Sequence, residues 1–167
     1  MSKRDLELST RQLAEIHRCL RDLCVEAKAR YVVLADVTGQ LIEVEGGEQQ
    51  VEPTTLAALA AAELSATKEL ARLLGEAPHF DLLLHEGRQH NLYLSAVGEE
   101  LVLLALYDHS TPLGMVRLFT RMTAERLQRI LKLKREISGG DPSSEEQIDD
   151  RFIALLSAEM DLSFGKN

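Results

Sequence analysis

Three short stretches of this 167-residue chain are apolar at consecutive positions rather than at alternate ones: Val32-Val33-Leu34, Leu82-Leu83-Leu84 and the run from Leu101 to Leu106. A strand with one wet face alternates, so a strand that is apolar throughout must be covered on both faces. The rest of the chain must therefore supply helices to both sides of one sheet. Tyr31 to Asp36 is rich in β-branched and aromatic residues, and Thr38-Gly39 turns it into a second run from Gln40 to Glu45, which predicts a hairpin. Phe80 to His85, Asn91 to Val97 and Leu101 to Tyr107 follow as a meander, punctuated by Glu86-Gly87 and Gly98-Glu99-Glu100. The connections are mostly short. A parallel return needs a crossover of roughly a dozen residues or more, so neighbouring strands should be antiparallel.

Three helices frame these strands. Ser9 and Gln12 have capping-box spacing, and Leu13, Ile16, Leu20, Leu23 and Ala27 recur with helical period behind them. Pro53-Thr54-Thr55 opens a long Ala- and Leu-rich stretch that stops at Gly75. Thr111-Pro112-Leu113-Gly114 leads into a third helix lasting to about Glu136, with Val116, Phe119, Thr123, Leu127, Ile130 and Leu131 on one side. The predicted order is helix, two strands, helix, three strands, helix. That is a three-layer α/β domain of the α+β kind over residues 1–136, whose core must be built from Leu, Val, Ile and Ala because aromatics are only 4% and Trp is absent. Residues 137–144 have linker composition. Residues 145–167 form an amphipathic C-terminal tail with Ile148, Phe152, Leu155 and Leu156 on one face.

Charge and motifs narrow the function. A net charge of -8 argues against nucleic acid and for a protein partner. No apolar run reaches the roughly 18 to 20 residues of a membrane span, and Met1-Ser2-Lys3-Arg4-Asp5 precedes no apolar stretch, so a cytoplasmic protein is expected. Cys19 and Cys24 lie five apart in a helix, about 140° round its axis, and are expected as reduced thiols rather than a bridge. His85-Glu86-Gly87-Arg88-Gln89-His90 looks like a zinc-protease motif, but its histidines are five apart, not four, and Gly87 falls between strands. No metal and no cofactor are expected. The phosphate-binding pattern Gly-x-x-x-x-Gly-Lys-Ser/Thr and the nucleophile pattern Gly-x-Ser-x-Gly are both missing, so the chain is neither a P-loop GTPase nor a serine hydrolase of that type, and no catalytic residue is assigned.

Two patterns remain. On the second helix Leu56, Leu59, Ala60, Leu70, Leu73 and Leu74 fall in one arc, taken as the buried one, while Ala58, Ala61, Ala62, Ser65, Glu69 and Arg72 fall opposite. The small-sided arc is either helix padding or a shallow docking face for a partner. Glu63 and Thr67 interrupt the apolar arc, which leaves a polar interface pair or a differently rotated helix as readings. The third helix carries Arg117, Arg121, Arg126, Arg129, Lys132, Lys134 and Arg135, whereas the tail holds Asp141, Glu145, Glu146, Asp149, Asp150, Glu159 and Asp161. These are either two solvated faces or a tail able to exchange between its own domain and a partner.

With this order in place, Ala35-Asp36, Gly39-Gln40-Leu41-Ile42, Thr54-Thr55-Leu56-Ala57-Ala58-Leu59 and Leu70-Ala71-Arg72-Leu73-Leu74-Gly75-Glu76 resemble the Roadblock/LC7 family. So do His85-Glu86-Gly87, Leu92-Tyr93, Val97-Gly98, Asp108 to Thr111, Leu113-Gly114 and Val116-Arg117-Leu118, and more narrowly the chain resembles the bacterial MglB type. The resemblance implies a five-stranded antiparallel sheet with the second helix on one face and the first and third on the other, paired into a homodimer. It implies a Ras-like small GTPase of the MglA type as partner, one that carries its own catalytic groups, and a role in cell polarity or motility with possible polar placement in the cell. By the same analogy Phe80, Leu82 and Leu84 are placed at the dimer interface and Ile148, Phe152, Leu155 and Leu156 in a tail affecting nucleotide exchange, while the small-sided arc of Ala58, Ala61, Ala62, Ser65, Glu69 and Arg72 is read as a partner-binding face for the GTPase or for the second subunit's equivalent helix. A scaffold subunit without effect on GTP hydrolysis, or a small-molecule sensor domain, would use the same fold differently.

Overall fold

The computed structural model describes residues 8–47, 51–76 and 82–137, with side chains to residue 132. By its contacts the chain divides into Met1–Gln128 and Arg129–Asn167, and the architecture below is that of the first unit. Helix α1 (Thr10–Glu26) begins on a complete capping box: the Ser9 hydroxyl accepts the Gln12 N–H at 3.2 Å, and Gln12 Oε1 accepts the Ser9 N–H at 3.0 Å. Ile16, Cys19, Leu20 and Leu23 are buried. Leu13, expected on that stripe, is exposed, because Gln12 turns inward to close the cap.

The hairpin joins β1 (Tyr31–Asp36) to β2 (Leu41–Gly46). Its turn is organised by Asp36, whose Oδ1 accepts the Thr38 N–H at 2.8 Å and the Gln40 N–H at 2.9 Å. Gly39 sits there at φ +91°, and a Cβ on it would lie 2.9 Å from the Ala58 Cα of the following helix. Glycine is therefore required twice over, by the backbone and by the approach of that helix.

Helix α2 (Pro53–Leu74) is entered through Glu52, whose carboxylate accepts the Thr54 and Thr55 N–H groups at 3.1 and 2.5 Å, and it ends on Gly75 in the left-handed region at φ +72°. These bonds hold the Glu52 carboxyl down at about 2, well below the usual range. Strands β3 (Leu82–Glu86), β4 (His90–Val97) and β5 (Leu101–Asp108) form the meander, and α3 (Leu113–Ile137) closes the described chain. Phe80, predicted to open β3, lies outside the described residues, as does the tail from residue 138.

All pairs are antiparallel, in the order β2-β1-β5-β4-β3. The sequence-adjacent pairs are hairpins, and β1 and β5 join them at the centre, with Val33 opposite Leu104 and Leu34 opposite Leu103. Register then sorts the side chains. Val33, Leu104, Leu94 and Leu83 share the face beneath α2, where Ala57, Ala60, Ala61 and Leu64 meet them. Leu34, Leu103, Ser95 and Leu82 share the other face. There α1 lies along β2, with His17 Nδ1 3.6 Å from the Glu45 carboxylate, and α3 follows β4 and β5, its Thr120 Oγ1 3.2 Å from the Tyr107 hydroxyl. Arg126 of α3 donates to Asp22 of α1 at 2.9 Å. Val116, Thr123 and Leu127 are buried as expected, joined by Thr120 and Ala124, while Phe119 is only half-buried. The central strands are thus covered on both sides, as their unbroken apolar runs require.

Gly39→Val should lower unfolding stability by about 1–3 kcal/mol in urea denaturation, since it adds a strained φ to a backbone clash. Glu52 has a folded pKa below its unfolded one, so its stabilisation is complete above the ordinary carboxylate range and fades as pH falls toward 2. Glu52→Gln should therefore be less stable than the parent at pH 6, and the gap in thermal midpoint should close on acidification toward pH 2.

Candidate docking site

The side chains of α2 do not point where their hydrophobicity suggests. The buried residues are Ala57, Ala60, Ala61, Leu64, Thr67 and Ala71, spaced at three and four, while Leu59, Leu70, Leu73 and Leu74 are 61%, 56%, 68% and 70% exposed. The helix is rotated by about 100°, one residue's worth, from the orientation that puts its leucines inward. Short side chains face the sheet because the helix lies close to it, as the Gly39–Ala58 approach shows. This corrects the placement of Ala61, which is 5% exposed and belongs to the core, not to an outer face. Ala58, Ala62, Ser65, Glu69 and Arg72 are exposed, on the flank away from the leucines; Glu69 and Arg72 pair with each other at 2.5 Å, an exposed contact of small energetic weight.

Rotation also accounts for the two polar residues that interrupt the apolar arc. Thr67 is buried against the sheet. Glu63 lies between the buried face and the leucines, and its carboxylate contacts His85 Nε2 of β3 at 2.5 Å. That contact fixes the direction of the leucine ridge: it lies on the same flank of α2 as β3. Strand β3 is the end of the sheet, with β4 on one side and no strand on the other among the described residues. Leu82, Leu83 and Leu84 are half-buried there, Leu82 and Leu84 on the face shared with α1 and α3, Leu83 on the α2 face. An apolar ridge and an open strand edge thus adjoin. A surface of this kind suits another polypeptide, which can cover the leucines and pair with the edge.

Chemistry of other kinds finds no foothold among these groups. His85 and His90 diverge, the first to Glu63 and the second to within 3.0 Å of the Arg30 guanidinium. Among the described residues no three His, Cys, Asp or Glu side chains gather as a metal would need. Burial pushes the Cys19 and Cys24 thiols up to about 11, so both are protonated near neutrality and are poor nucleophiles. Among the described residues no helix is long and apolar enough to cross a membrane. The predicted tail positions Ile148, Phe152, Leu155 and Leu156 lie outside the described residues. What sequence reasoning missed was the leucine ridge; the signal for it was Thr67 and Glu63, polar residues that an inward leucine arc cannot accommodate.

Comparison with known proteins bears on the same elements. The Roadblock/LC7 domain profile matches residues 19–107, from α1 through β5. MglB of Myxococcus xanthus superposes with a TM-score of 0.71 at 35% identity, covering 76% of this chain and 95% of that one. The gliding protein MglB of Thermus thermophilus gives 0.70 at 32%, over 78% and 98%. A further MglB, described with a tetrameric arrangement, gives 0.70 at 33%, also over 78% and 98%. A Roadblock/LC7 domain from Streptomyces avermitilis, at 16% identity and a TM-score of 0.56, shares the fold. No curated protein sequence matches. The order of elements, the sheet topology and these likenesses together establish that this chain belongs to the Roadblock/LC7 family and is MglB-like within it.

Proposed function

We propose that the chain is a homodimeric, non-catalytic regulator of a Ras-like small GTPase of the MglA type. The observation that carries this reading is the likeness to MglB at 32–35% identity over 95–98% of those chains. The leucine ridge of α2 and the open edge of β3 support it, because together they form a surface that a second subunit can bury. In the proposed dimer, β3 pairs with its counterpart through the strand edge, Leu82 and Leu84 meet the partner, and Leu59, Leu70, Leu73 and Leu74 pack against the second α2. Burying a leucine side chain contributes roughly 1.5–3 kcal/mol, so four such residues per subunit suit a stable pair.

The exposed small-sided flank, Ala58, Ala62, Ser65, Glu69 and Arg72, is then left for the GTPase. The regulator acts by holding the switch segments of the GTPase in the arrangement that phosphoryl transfer needs, while the GTPase supplies the reacting groups. The tail over 145–167, with Ile148, Phe152, Leu155 and Leu156, influences nucleotide release. In the cell the protein acts in the cytoplasm, at a pole, in polarity or motility.

Leu70→Glu with Leu73→Glu should convert the dimer to a monomer in light scattering at micromolar concentration with circular dichroism unchanged. Ala61→Arg should instead lose cooperative unfolding, because it forces a charge between helix and sheet. In single-turnover hydrolysis an MglA-type GTPase should turn over at least tenfold faster with the protein present; an unchanged rate would support the scaffold reading instead. Deletion of residues 139–167 should leave the dimer intact and alter the rate of nucleotide release.

A further inference from the structure

The face of the sheet opposite α2 holds a second feature, which does not rest on the GTPase reading. Between α3 and the outer strands β3 and β4 runs an open groove of about 700 Å³. Its floor and walls are largely apolar or small, including Leu82, Tyr93, Ala96, Leu118 and Ala124, and Arg117 and Arg121 line it from α3. Along the helix it extends from Gly114 to Gln128, about 21 Å at the helical rise, or four turns.

The two arginines make the groove specific. They stand four residues apart on one face of α3, a spacing at which like charges destabilise a helix. Burial pushes the Tyr93 hydroxyl up, and the positive fields of Arg117 first and then Arg121 pull it back down, which places both guanidinium groups near it. Neither arginine has a carboxylate partner among the described residues, whereas Arg126, one turn beyond Arg121, is neutralised by Asp22. Glu125 lines the groove one residue before Arg126, so the cationic part is the half nearer the start of α3. Two cations beside an apolar floor match a segment that carries both carboxylates and apolar side chains, whereas a phosphate backbone would leave the floor uncovered.

We propose that this groove docks an acidic amphipathic helix of a partner protein, laying leucine-like side chains on Leu118 and on the floor around Tyr93 and Ala124, and carboxylates on Arg117 and Arg121. The occupant's length is set by the groove, and its polarity by the position of the arginines: its carboxylates lie over the first half of α3. The groove touches the proposed dimer contact only at Leu82, and its α3 wall, with Arg117, Leu118 and Arg121, lies on the opposite face from the leucine ridge, so that wall stays open when a second subunit covers α2 and the β3 edge.

The test is fluorescence anisotropy on the full chain with a labelled 16-residue peptide of glutamate and leucine, the leucines at three- and four-residue helical spacing, and with its lysine-for-glutamate counterpart. The acidic peptide should bind, weaken with rising salt, and lose at least tenfold in affinity to Arg117→Glu with Arg121→Glu, circular dichroism being unchanged. Leu118→Ser should weaken binding with little change in its salt dependence, a readout that a purely electrostatic surface would not give. Equal binding of the lysine peptide, or full affinity in the double arginine variant, overturns the proposal. So does binding that emerges only after deletion of residues 139–167, which would make the chain's own tail the occupant, and so does dissociation of the dimer by the arginine substitutions, which would make it a second copy.

Discussion

The close packing of α2 on the sheet is the contact from which the rest of the molecule's exterior follows. Ala57, Ala60, Ala61 and Ala71 place only methyl groups between helix and strands, with Leu64 as the one large side chain among them. Alanine buries little area by itself, but it lets the helix approach until backbone and strand side chains are in direct contact, and dispersion among many close atoms replaces the volume of larger residues. Once the alanines are spent inward, the leucines have nowhere to go but out. A helix that looks from its composition like an ordinary core element becomes one with its bulk facing away from its own domain.

Much of the architecture was legible before any coordinates. Consecutive apolar residues in β1, β3 and β5 required a sheet covered on two sides, short connections required antiparallel pairing, and Ser9-to-Gln12 and Gly75 marked helix ends where they are found. The orientation of α2 was not legible by hydrophobicity alone. That criterion assigns the greasiest arc to the interior, and it fails where a helix lies so close to its sheet that only short side chains fit between them. Thr67 carried the missing information, since a hydroxyl with a methyl group tolerates the sheet contact that Leu70 or Leu73 would overfill. Glu52 was equally hidden: glutamate is an uncommon helix cap, and only its geometry shows the carboxylate reaching back to two amides. The groove beside α3 could not be read either, because it depends on how far apart strand and helix stand rather than on which residues they carry.

Two faces of the same sheet thus carry opposite recognition chemistry. On the α2 side the exposed material is leucine and a bare strand edge, which favours burial and pairing of backbone groups and is little affected by salt. On the α3 side it is a pair of guanidinium groups above an apolar floor, which favours directional, screened contacts. Partition of this kind gives one small domain two surfaces of different chemistry.

The contact between Glu63 and His85 lies on the leucine side. It sets the middle of a 22-residue helix beside an edge strand, and both side chains are partly open to water. In water such a pair is well screened and contributes little. Any chain laid across both elements would shut water away from it, so a contact that is nearly idle in the open domain would become a matched polar point inside an otherwise oily seam, sensitive to where the newcomer sits.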